Sequence, residues 1–374
     1  MDPRIQELAH RIVTYSCAVQ PGEKVLITAI GQDVLPLAKQ AIKEVYLAGG
    51  FPYMDLQEPA VTRELMLSCS EEQLTFLKDV EMKRMKGMDA SISLRGAANA
   101  YELADVPPEK LRLNGKIMNE VLFERVDHTR WVVLRYPNAA MAQMAEMSLE
   151  QFENFYFDVC NFDYRKMAQA MEPFKELLDR TDRVRIVGPA DTDLSFSIKD
   201  IATVPCAGRR NIPDGEISTA PVRDSVNGKI RYNTASLFEG FIYRDVCLEF
   251  KDGKIIKATS NATERMNKVL DIDEGARYVG EFSFGVNPYL VKPIYDTLFD
   301  EKIMGSFHLT PGNSYDWASN GNKSKLHWDL ICIQTVEHGG GKIYFDDVLI
   351  RDNGLFVPES LQGLNPENLK KQEQ

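Results

Sequence analysis

The sequence predicts an α/β N-terminal domain with a parallel, doubly wound sheet over residues 1–180 and a β-rich α+β C-terminal domain over residues 181–374. Three observations predict it. The chain has 374 residues, enough for two ordinary domains of roughly 100–200 residues each. Helix-like and strand-like patterns alternate through the first half, the signature of parallel strands joined by crossover helices. After Asp182 the texture shifts to short β-branched and aromatic runs.

The elements follow in order. Ile5, Leu8, Ile12 and Val13 recur at helical spacing. Pro21-Gly22 turns the chain into a strand over 24–30, KVLITAI. A helix over 34–48 stops at Gly49-Gly50. A second strand over 52–56 precedes an amphipathic stretch over 63–85. A third strand over 90–94, a helix over 109–126 and a fourth strand over 131–135 complete the alternation. A long helical connector is expected over 148–178. Beyond it, strand patterns cover 183–187, 194–198, 240–250, 254–259, 281–284, 327–334 and 342–350, with one helix at 262–270. Asp252-Gly253 and Asp352-Asn353-Gly354 read as hairpin turns. The polar tail after Asn365 is expected to fray. Neither GxGxxG nor GxxxxGK[ST] occurs, so the nucleotide-binding use of such a sheet has no support.

Composition excludes several classes. Hydrophobic residues make up 44% and charged residues 26%, globular rather than disordered or fibrous values. Lys and Arg number 44 against 55 Asp and Glu, a net charge of −11 that argues against nucleic acid or an anionic membrane as partner. No apolar run approaches the roughly 20 residues of a membrane span. The start, MDPRIQELAHRIVTYS, lacks a basic segment followed by an apolar one. The six cysteines, at 17, 69, 160, 206, 247 and 332, form no Cys-x-x-Cys pair and read as small buried hydrophobes. A soluble, reduced, cytoplasmic chain is expected.

Metal-type side chains gather in the second half. His327 and Asp329, two apart on a predicted strand, project from one face and can share a cation or serve two adjacent ones. His308 lies nineteen residues before His327, and Tyr315 seven after His308. Glu216 and Glu281 each follow a glycine. Taken singly, each of these reads as a surface or core residue. Elsewhere, His10 lies on an amphipathic helix and His128 in a polar loop. His338-Gly339-Gly340-Gly341 has no Gly-x-Ser-x-Gly elbow to accompany it and reads as a hairpin turn. Cys206-Ala207-Gly208-Arg209-Arg210 reads as a basic surface turn, and MKRMKGM over 82–88 as a solvated helix end.

Taken jointly, the segments carry a resemblance. Asn211-Ile212-Pro213-Asp214-Gly215-Glu216-Ile217-Ser218-Thr219-Ala220-Pro221, then Gly280-Glu281, then His308 with Tyr315, then Asn322-Lys323-Ser324-Lys325-Leu326-His327-Trp328-Asp329 resemble, in order and spacing, the thermophilic metallo-aminopeptidase family of the aminopeptidase T and aminopeptidase S type. Residues 19–29, 148–155 and Thr192-Asp193-Leu194 extend the likeness over most of the chain. The resemblance implies that Glu216, Glu281, His308, His327 and Asp329 are metal ligands, that Tyr315 lies in the active site, and that the protein is a homodimer with two divalent ions per subunit. Two departures bear on substrate preference. The family's His-x-Ala-x-Gly is here His308-Leu309-Thr310-Pro311-Gly312, and the segment from Tyr315 to His327 is short.

The residues themselves support a catalytic reading. Three carboxylates and two imidazoles offer mixed oxygen and nitrogen donors, suiting zinc, cobalt, manganese or magnesium rather than calcium. The absence of a thiolate favours an open catalytic site over a closed structural one. Two ions about 3.5–4 Å apart need a bridging carboxylate, and a water they activate can attack a peptide carbonyl. Tyr315 and Glu281 are the expected catalytic residues, Tyr315 as a hydrogen-bond donor to the oxyanion. The expected function is a metal-dependent aminopeptidase acting on peptides with a free N-terminus. The alternative is a dinuclear amidohydrolase acting on a non-peptide or modified amino-acid amide.

Overall fold

The computed structural model describes residues 2–99 and 101–370. It falls into two compact units, Met1–Phe162 with Gly208–Ile212, and Asp163–Ala207 with Pro213–Gln374. The first unit is built on a five-stranded sheet in the order Phe51–Gln57, Lys24–Ile30, Ala90–Arg95, Arg130–Arg135, Asn211–Ile212. All four pairings are parallel, as the alternating pattern predicts. Val25, Ile27, Ala29, Ile92 and Leu94 are completely buried, because helices cover both faces of a parallel sheet. The fifth strand escaped the sequence reading: two residues are too few to show a period.

Two predicted helical stretches are broken by caps. The stretch over 63–85 forms two helices, Pro59–Ser68 and Glu71–Met85. Ser70 starts the second, its hydroxyl accepting from the Gln73 N–H at 3.1 Å, with Glu71 and Glu72 at the positive end of the helix. The connector over 148–178 likewise becomes Leu149–Cys160 and Tyr164–Arg180. Asp163 accepts from the N–H groups of Arg165 and Lys166 to begin the latter, and the division between the units falls at this break. His128 is not in a loop but closes the helix Pro108–His128. The tail expected to fray instead forms the short helix Pro366–Leu369 with Leu369 buried, while residues 371–374 lie outside the described residues.

The second unit contains two antiparallel sheets and a small hairpin, Ser236–Phe238 with Phe241–Tyr243. The larger sheet has eight strands in the order Lys254–Thr259, Cys247–Lys251, Asn227–Arg231, Asp193–Ser197, Arg183–Val187, Lys342–Phe345, Val348–Asp352, Leu355–Phe356. Both predicted hairpin turns are present. Asp252 and Gly253 have φ of 49° and 80°, and Asn353 and Gly354 have 50° and 82°, the paired positive values of a tight hairpin. Gly339–Gly341 is not a hairpin turn. It carries the chain from strand Leu330–Ile333 in the smaller sheet to Lys342–Phe345 in the larger. Gly341 has φ +156°, and a Cβ there would lie 2.8 Å from the Gly188 carbonyl oxygen, so the crossover favours glycine there.

The smaller sheet has five strands, ordered Leu330–Ile333, Ser306–Pro311, Val279–Gly285, Glu216–Thr219, Val204–Cys206. Its apolar face is part of the unit's core. Phe284 meets Phe174 of the helix Tyr164–Arg180 edge-to-face at 4.9 Å, and Phe282 meets Phe196 at 5.0 Å. Such aromatic pairs contribute about 0.5–1.5 kcal/mol beyond their buried area. The other face of this sheet is polar.

Candidate metal centre

Alternation with period two creates that polar face. Glu216 and Ser218, Glu281 and Ser283, and His308 and Thr310 are pairs two residues apart on three adjacent strands. The register aligns them: Ser283 lies between Ser218 and His308, Thr310 faces Glu281, and Gly285 faces Glu216. Ile217, Phe282, Phe284, Phe307 and Leu309 occupy the intervening positions and point into the core. His308 thus sits on an interior strand of the sheet.

His327 and Asp329 lie outside the strand predicted for them, which begins only at Leu330. They lie on the extended segment leading into it, where His327 bridges Gly312. Gly312 has φ +112°, and a Cβ there would lie 2.1 Å from the Leu326 carbonyl oxygen, so only glycine permits this approach. Alternation survives without the ladder because Trp328 anchors the segment. Its ring stacks on Phe238 at 4.7 Å, packs on Tyr243 at 4.8 Å, and its Nε1–H donates to Ser236 Oγ at 2.9 Å. With Trp328 held on one side, His327 and Asp329 emerge on the other.

All five candidate ligands converge. His308 Nε2 lies 3.7 Å from Glu216 Oε2 and 3.9 Å from Glu281 Oε1. His327 Nε2 lies 3.3 Å from both Glu281 Oε2 and Asp329 Oδ1. Two groups of donor atoms result, each within 4.8 Å: Glu216 with Glu281 and His308, and Glu281 with His327 and Asp329. Glu281 belongs to both.

Neighbouring hydroxyls and carbonyls hold these side chains. Ser218 Oγ donates to Glu281 Oε1 and Thr310 Oγ1 to Asp329 Oδ1 at 2.7 Å, while Ser283 Oγ donates to the Ile217 carbonyl at 3.0 Å and lies 3.4 Å from Glu216 Oε2. His327 Nδ1 is 3.0 Å from the Asn313 carbonyl oxygen, which leaves Nε2 facing the carboxylates. His308 Nδ1 is buried without a hydrogen-bond partner among the described residues.

The electrostatics are strongly coupled. Burial disfavours the Glu281 carboxylate, but His308 and His327 outweigh it and hold its pKa down to about 2. Asp329 is likewise lowered, burial being overcome by His327. Burial also disfavours a charged His327, yet Asp329 and Glu281 push its pKa up to about 11. His308 is raised against its burial by Glu281. Tyr315 stacks on Trp317 at 4.5 Å with its ring 4.7 Å from that of His327, and burial raises its hydroxyl pKa far above the ordinary value.

The sequence reading missed Ser218, Ser283, Thr310 and Lys302. For Ser283 a signal existed, since it follows Glu281 by two residues on the strand expected over 281–284; Ser218 and Thr310 take the same relation to Glu216 and His308 on strands seen only in the structure. For Lys302 there was none: in Asp300-Glu301-Lys302 it resembles a solvated charge run. It is fully buried, with its Nζ 3.2 Å from Glu216 Oε1. Cys206 is no surface turn residue; it ends the outer strand Val204–Cys206, paired with Glu216.

An antiparallel sheet whose polar face gathers carboxylates and imidazoles, with no cysteine in either donor group, defines a candidate centre of the metallohydrolase type. Comparison with known proteins narrows this. A family model for the thermophilic metalloproteases (M29) matches residues 1–356, and the chain belongs to that family; it is a metallopeptidase. Aminopeptidase 2 of Geobacillus stearothermophilus is 23% identical over 352 residues, covering 84% of each chain. Wild-type AmpT from Thermus thermophilus has the same fold, with a TM-score of 0.82 at 19% identity over 95% of this chain and 99% of that one. A 2,5-dihydroxypyridine dioxygenase from Pseudomonas putida KT2440 also shares it, at a TM-score of 0.62 and 13% identity over 96% of this chain and 99% of that one. Fold alone therefore does not fix the reaction.

Proposed function

We propose that this protein is an aminopeptidase that hydrolyses the N-terminal peptide bond of peptides at a dinuclear metal centre held by Glu216, Glu281, His308, His327 and Asp329. The observation that carries the reading is the division of Glu281. Its Oε1 faces His308 and its Oε2 faces His327, so one carboxylate belongs to two donor groups. That is the arrangement a bridging ligand requires.

The residues fit divalent ions. Glu216 and Glu281 are buried with Asp329 half-buried beside them, and carboxylates gathered in such numbers call for compensating positive charge. The mixed donors suit zinc, cobalt, manganese or magnesium. Ions held there would supply a Lewis acid for the scissile carbonyl and acidify a water molecule. The chain does the rest. Ser218 and Thr310 fix the orientation of Glu281 and Asp329. Tyr315, kept as a hydroxyl by its burial, is a donor for the oxyanion that develops on the carbonyl.

A homodimer in the cytoplasm belongs to the same proposal. The dimer is what the resemblance implies, and six free thiols, five of them buried, support a reducing compartment. The test is complete metal removal with a chelator, followed by add-back, assayed on aminoacyl-chromophore substrates and their N-acetylated forms. Activity lost on chelation, restored by metal and confined to free amines is expected. Activity indifferent to metal removal would sink the proposal. A protein that ignores peptides but cleaves modified amino-acid amides would be the dinuclear amidohydrolase instead.

A further inference from the structure

Lys302 is completely buried, and a buried ammonium is costly unless it is paired. It is paired with Glu301 and, at 3.2 Å, with Glu216 Oε1. The backbone explains how it reaches Glu216. The Lys302 carbonyl accepts from the Asn287 N–H at 3.0 Å. Gly285, the residue facing Glu216 across the sheet, leaves room for the segment: a Cβ there would lie 2.2 Å from the Ile303 carbonyl oxygen. The two oxygens of Glu216 therefore have different partners. Oε1 is held by Lys302, while Oε2 lies 3.4 Å from Ser283 Oγ, which donates to the Ile217 carbonyl, and 3.7 Å from His308 Nε2.

We propose that Lys302 is a positioning residue that makes the two ion positions unequal. It binds one oxygen of Glu216 and leaves the other facing His308. Its fixed positive charge lies one carboxylate away from the Glu216–Glu281–His308 position and repels a cation there. The Glu281–His327–Asp329 position has no such neighbour among the partners described for its ligands. One ion is thus held tightly and the other exchangeably. Losing the charge and losing the anchor act in opposite directions on affinity. At buried sites the Coulomb effect of a unit charge on a divalent ion is the larger. Removal of the charge should therefore tighten the weaker position.

This inference rests on the dinuclear reading, and calorimetric titration of the metal-free full-length protein with cobalt(II) separates the two. The wild type is expected to show two unequal binding events. Lys302→Gln, which keeps an N–H donor for Glu216 but removes the charge, should tighten the weaker event by about tenfold or more, or about 1.4 kcal/mol. The tighter event should move by less than about threefold. Both events shifting together, or neither moving while the melting temperature falls, would overturn the role of Lys302. If Lys302→Gln does not fold, Glu216→Gln decides: it should abolish the weaker event and keep the tighter one, and loss of the tighter event instead overturns the proposal. A wild-type chain that binds no cobalt overturns the dinuclear reading itself.

Discussion

His327 Nε2 lies 3.3 Å from one oxygen of Glu281, and the other oxygen of that carboxylate faces His308. Glu281 is the only residue common to the two donor groups found among the described residues. An amide has a single acceptor oxygen and cannot serve both. Glu281→Gln should therefore lower kcat/KM by about 10³-fold or more, about 4 kcal/mol of transition-state stabilisation. The melting temperature should change little, since Ser218 can still donate to the amide oxygen. Elemental analysis alongside the kinetics checks it, and two ions per chain with near wild-type turnover would contradict the bridge.

Thr310 acts on Asp329 through one hydrogen bond of 2.7 Å. Thr310→Val keeps the shape of the side chain and removes the donor. Loss of such an outer partner typically costs about 10–100-fold in metal affinity or activity. Metal affinity should fall in that range while the circular dichroism spectrum and unfolding transition stay those of the parent.

For Tyr315 the expected signature is kinetic. Tyr315→Phe preserves the stack on Trp317 and removes only the hydroxyl. Deleting one oxyanion donor typically lowers kcat about 10²–10³-fold. KM and metal content should be nearly unchanged. A rise in KM at constant kcat would instead make Tyr315 a ground-state binding residue.

Asp300 gives a pH dependence away from the centre. Burial pushes its pKa up to about 8 from 3.8, against the opposing N–H groups of Ile294 and Tyr295. The sign follows from linkage. Between 3.8 and about 8 the unfolded carboxyl ionises while the folded one keeps its proton, so its contribution to stability is full below 3.8 and lost by about pH 8. The melting temperature of the metal-free protein should fall as pH rises through this window, and Asp300→Asn should flatten that part of the curve. An unchanged slope in the variant would refute the assignment.

How far each feature was legible depended on its range. The parallel sheet was legible because four of its strands carry local apolar runs, whereas Asn211–Ile212 joins it through a single pairing with Arg130–Arg135. The breaks at Ser70 and Asp163 were encoded locally as caps, but longer helical periodicity masked them. Ser283 was legible in principle from alternation on the strand expected over 281–284, whereas Ser218 and Thr310 lie on strands that the pattern did not mark. Lys302 was not legible, because the same residues in a loop are normally solvated.

The sequence by itself determined the family, the α/β and β-rich halves, and the chemical identity of the candidate donors, since residue types and their order are properties of the chain. Only the tertiary structure decided that Glu281 stands between two donor groups, that Trp328 turns His327 and Asp329 to one side, and that Lys302 is buried against Glu216. The physical reason is sequence separation. Glu216, Glu281, His308 and Lys302 meet through strand register and the close approach that Gly285 permits, and neither leaves a local periodic trace.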